Sequence, residues 1–117
     1  MENTQKFQIV SCSGASNTGK FADETARMLM SEGTAKMLCL ARFSIDKAFA
    51  ETTKGEITKL VVLDGCPIDC AKKTMLENGI ENFLHIHTTD YGIVKGKTPF
   101  SIEKAKEIVE HIKKIKQ

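Results

Sequence analysis

Two apolar rhythms take turns along the chain. Phe7-Gln8-Ile9-Val10-Ser11-Cys12 is a short, largely apolar run that predicts a first strand. Ala35 to Ala41, AKMLCLA, predicts a second. The run Leu60-Val61-Val62-Leu63, introduced by Lys59, is apolar without interruption, as suits a third strand buried on both faces. Asn82 to His87, NFLHIH, alternates and predicts a fourth. Between them the period changes to that of a helix. Phe21, Ala22, Ala26, Leu29 and Met30 mark the inner face of a helix from about Lys20 to Glu32, stopped by Gly33. A short helix follows Phe43-Ser44, with Ser44 as its cap, Ile45, Ala48 and Phe49 inward, and Gly55 breaking it. Another begins after Cys66-Pro67 and stops at Asn78-Gly79. The last runs from about Ser101 to Lys116 on a stripe of Ile102, Ala105, Ile108, Val109, Ile112 and Ile115.

Alternating strands and helices predict an α/β fold, an open parallel four-stranded sheet with helices on both faces. Strand order 2-1-3-4 is the simplest right-handed winding. The centre of such a sheet lies between strands 1 and 3, where the order reverses. Ligands bind there, at the carboxyl ends of the strands. No repeat or linker interrupts the pattern, so residues 1–117 are expected to form one domain.

Composition narrows the function. The net charge is +2, and the basic residues are dispersed among acids, so no nucleic-acid partner is expected. Lys113, Lys114 and Lys116 read as a solvated helix end, where cations are favoured. No apolar run approaches the roughly 20 residues of a membrane span. The N-terminal MENTQKF is polar, and a cytoplasmic protein is expected.

The four cysteines change the picture most. In a reducing compartment they point to metal ligation or reactive thiols rather than disulfides. Cys12 ends strand 1, Cys39 lies near the end of strand 2, Cys66 follows strand 3, and Cys70 comes four residues later near a helix start. All four belong to one edge of the predicted sheet. The positive end of a helix favours thiolate there. Four soft ligands suit a closed tetrahedral zinc site, and an iron–sulfur cluster would use the same set. Strands lie about 4.8 Å apart, so sulfurs from three of them must lean inward to share an ion. Cys39, the thiol without a glycine turn beside it, is the odd one out. His85 and His87 share one strand face, and only His87 lies near the carboxyl end, where it reads as a polar strand-end histidine with a reserve ligand as the alternative. Asp64 and Asp69 suit turn chemistry and a first helical turn, or orientation of the site.

Cys12-Ser13-Gly14, Cys39, Asp64-Gly65-Cys66 and Cys70, in that order, make the chain resemble the DGC-domain family, small proteins named for Asp-Gly-Cys. The resemblance implies a four-cysteine metal site, carried here by Cys12, Cys39, Cys66 and Cys70. It transfers no reaction. The expected role is structural, sensing or metal delivery, because four thiolates leave the ion no open position.

Other readings compete for the same edge. Gly14 to Lys20 matches the start of a phosphate-binding loop, but Phe21 stands where Ser or Thr should hold magnesium. Cys12 or Cys66 as the nucleophile of a phosphatase-, reductase- or redox-type enzyme is the alternative function. No arginine closes the loop after Cys12, and Lys20 cannot supply the bidentate fork. The loop from Thr88 to Pro99, with Tyr91, is a candidate lid.

Overall fold

A computed structural model describes residues 6–12, 15–65 and 68–115. Four strands, β1 (Phe7–Ser11), β2 (Ala35–Met37), β3 (Leu60–Asp64) and β4 (Leu84–His87), alternate with five helices. These are α1 (Asn17–Ser31), α2 (Leu40–Ile45), α3 (Lys47–Glu56), α4 (Cys70–Glu77) and α5 (Ile102–Ile115). A single 3-10 turn, Thr88–Tyr91, follows β4.

The strands form one all-parallel sheet in the order β2-β1-β3-β4, as the winding rule predicts. Ile9 sits opposite both Met37 and Val61, and Asp64 sits opposite His87. All five residues of β3 are buried, so both faces of the sheet are covered at its centre. That is why its sequence does not alternate. Helix α1 packs against α5, while α2 packs against α3 and α4. Phe7, Ile9, Phe21, Leu29, Leu63 and Ile108 anchor the continuous core. Among the described residues, no helix is long and apolar enough to cross a membrane.

Local details depart from the pattern. Helix α1 starts three residues early, because Ser16 caps it by accepting the Gly19 N–H at 3.0 Å. Met30, expected inward, is 42% exposed near its end. Strand β2 is shorter than expected. Its ladder ends where the Leu38 N–H donates to the Ile9 carbonyl, and Cys39 then becomes the N-cap of α2. The expected single helix here is two, split at Asp46, whose carboxylate accepts the Phe49 N–H and starts α3. The split turns Ile45 out to 84% exposure and gives the inner position to Phe43, edge-on to Phe49. Gly55 does not break α3, which runs on to Glu56.

Leu63 is fully buried between the two helical groups. Leu63→Ala should therefore lower the unfolding free energy by about 2–5 kcal/mol, read from the urea midpoint. A loss under 1 kcal/mol would show that this strand is not the centre of the core.

Candidate functional site

The carboxyl edge of the sheet is built around Asp64, the last residue of β3. Its side chain is 1% exposed, yet every strong bond it needs is present. Oδ1 accepts the Ala71 N–H at 2.8 Å, and Oδ2 accepts the Lys72 N–H at 3.0 Å. These are first-turn donors of α4, which have no intrahelical acceptor. Oδ2 also accepts from His85 Nε2 at 2.8 Å. Asp64 thus caps a helix from the preceding strand, a role beyond the turn chemistry expected of it.

Asp69 holds the N-cap position of α4 but makes no cap bond with its side chain. Among the described residues it is the one non-glycine with positive φ, at 58°. Its Oδ1 instead lies 2.5 Å from His87 Nε2 and 3.9 Å from His85 Nε2. The imidazole centroids are 4.4 Å apart. Both histidines therefore belong to the edge, whereas the sequence placed only His87 near it.

Gly65 joins this cluster to the start of α1. A Cβ there would lie 2.5 Å from both Gly19 N and Thr18 C. Only glycine lets the two backbones come this close. The Gly65 N–H donates to Cys12 Sγ at 3.1 Å, so the buried sulfur sits against the turn after β3.

The described thiols keep to the expected edge. Cys12 follows β1, Cys39 caps α2 after β2, and Cys70 is the first residue of α4. Cys12 and Cys39 line one cavity of about 320 Å³, with Ser11, Leu38, Ser44 and Thr74 among its walls. Cys39 and Cys70 are exposed. Thr74, one turn into α4, lines the cavity and donates to the Cys70 carbonyl at 2.8 Å, while Cys70 itself is not part of the cavity wall. Cys66 and Pro67 lie outside the described residues, as do Ser13 and Gly14. Among the described residues, the group whose ligand atoms all lie within 4.8 Å of one another is Asp69, His85 and His87; no three thiols are gathered so closely.

The rival chemistries find less here. Lys20 lies over the Phe100 ring at 4.9 Å, and Phe21 is core. Arg27 is paired at 2.9 Å with Asp23, which lines the cavity of Cys12 and Cys39, and that carboxylate holds the Arg27 pKa above the usual arginine value. The Thr88–Pro99 segment, the candidate lid, is tied to α1 and α5. Tyr91 bonds His111 of α5 at 2.5 Å, and Asn17 fixes the segment through Val94, Gly96 and Thr98. Partial burial raises the Tyr91 pKa above its ordinary value.

The sequence profile of the DGC domain matches residues 8–112. The chain is similar to a protein of Pseudomonas aeruginosa named the anaerobic and virulence modulator AnvM, with 28% identity over 87 residues. The match covers 74% of this chain and 66% of that protein, so the chain spans just under two thirds of the relative's length. No solved structure matches the chain.

Two substitutions test the geometry. Gly65→Ala should destabilise the fold by about 1–3 kcal/mol through overpacking. Asp64→Ala should cost about 1–3 kcal/mol by orphaning the α4 donors. Chemical denaturation with helix-specific hydrogen exchange would show the second loss starting in α4; unchanged protection there would refute the cap.

Proposed function

Because the chain belongs to the DGC domain family, we propose that it binds one zinc ion through Cys12, Cys39, Cys66 and Cys70 at the carboxyl edge of its sheet. The observation carrying this reading is the cavity shared by Cys12 and Cys39, two thiols from neighbouring strands that are far apart in sequence. The donor set fits zinc. Cys12 Sγ already accepts a backbone N–H, the kind of bond that favours a thiolate and orients a metal ligand. Cys70 stands in the first turn of α4, where the helix end favours negative charge. Cys66 stands four positions before Cys70 in the sequence.

Four thiolates would hold zinc in a closed shell, leaving no position for an activated water. The site is then a structural or sensing centre rather than a hydrolytic one. A relative named as a modulator favours sensing. A cysteine-nucleophile enzyme draws less support, since Arg27 is engaged by Asp23 and no described arginine lines the cavity of Cys12 and Cys39. The same four ligands would also accept an iron–sulfur cluster, which would colour the protein.

Elemental analysis coupled to thiol counting tests the proposal. The expected result is about one zinc per chain in colourless protein, with thiols shielded until a chelator is added. Cys12→Ser and Cys66→Ser should each abolish retention of the ion and lower thermal stability, because metal binding adds to folding free energy. Metal-free protein with a single fast-reacting thiol at neutral pH would overturn it in favour of the thiol enzyme.

A further inference from the structure

Beside Cys70, the same edge holds a second set of metal-ligating atoms. We propose that Asp69, His85 and His87 form a separate cation site, taking a borderline divalent transition ion through two imidazoles and one carboxylate. Alternation on β4 puts His85 and His87 on one face, and their rings stand 4.4 Å apart. Asp69 reaches them from the start of α4 with a left-handed backbone, and Asp64 does the capping that its carboxylate forgoes.

The distances are close to those an ion requires. Ligands at about 2.0–2.2 Å in a tetrahedral shell lie roughly 3.3–3.6 Å from one another. His87 Nε2 and His85 Nε2 stand 2.5 and 3.9 Å from the same Asp69 oxygen, on either side of that range. Movements of about an ångström or less would seat an ion. Ligation through Nε2 moves the imidazole proton to Nδ1 and replaces the hydrogen bonds now made to Asp64 and Asp69. Asp64 is not orphaned by this, because Ala71 and Lys72 still donate to it. It stays beside His85 as a buried negative charge. All three ligands are partly exposed, so an ion can enter and one position remains for water. Imidazole donors select zinc, cobalt or nickel over magnesium and calcium.

This site does not depend on the four thiolates, and the test separates the two. The chain has three histidines, and His111, on α5, serves as an internal control. The 117-residue chain would be titrated with Ni²⁺ while the histidine side-chain resonances are followed by NMR. The site predicts selective broadening of His85 and His87 with His111 spared, and at least a tenfold weaker response in Asp69→Asn. In His87→Ala the response at His85 should disappear. Cys12→Ser/Cys39→Ser should lose thiolate zinc yet keep the histidine response. If that variant fails to fold, the titration of the wild-type chain decides. Broadening of all three histidines alike, no broadening, or an unchanged response in Asp69→Asn would overturn the site. In the wild-type chain, histidine binding without thiolate zinc would overturn only the four-cysteine proposal.

Discussion

The functional edge depends on one buried carboxylate. Asp64 ends the most buried strand and takes two N–H donors from the next helix, fixing where α4 begins. A charged acceptor to backbone N–H is among the stronger hydrogen bonds, and inside the protein neither side has water to fall back on. The residue after it can only be glycine, because the α1 backbone passes within what would be van der Waals overlap of a Cβ. Two consecutive residues thus lock β3 to helices on either side of it.

That lock explains how distant cysteines are brought to one rim. A parallel sheet places every strand's carboxyl end on the same side, and the reversal of order between β1 and β3 opens space there. Cys12 enters that space directly after β1 and is held by the Gly65 N–H. Cys39 reaches it only because β2 stops early and α2 turns the chain back over the edge. Four-thiolate zinc is the proposal that makes use of this assembly. The imidazole pair on β4 meets Asp69 at the start of α4, and it offers harder donors that are partly exposed.

Much of this was legible in the sequence. The uninterrupted Leu60–Leu63 run marked the central strand, and the strand-helix alternation fixed the parallel order. The shared edge of Cys12, Cys39 and Cys70 followed from those two facts. The α2–α3 split was not legible, because Leu40-Ala41 after AKMLC continues a strand pattern equally well and the break is made by Asp46 capping backward. Nor was the partnership of Asp69 with both histidines. It rests on a left-handed residue at a helix start, a conformation that aspartate adopts without announcing it in its neighbours. The spacing of His85 and His87 signalled a common face, but the reach of Asp69 is set by tertiary structure. Asp64 was visible as a turn residue; its capping role emerges only once α4 is placed beside β3.

The claim that four sulfurs share one ion is tested most directly by X-ray absorption at the zinc edge, on protein carrying one equivalent of zinc. Four-thiolate binding predicts a single shell of four sulfurs at about 2.3 Å. A first shell made only of nitrogen and oxygen at about 2.0–2.1 Å would contradict it.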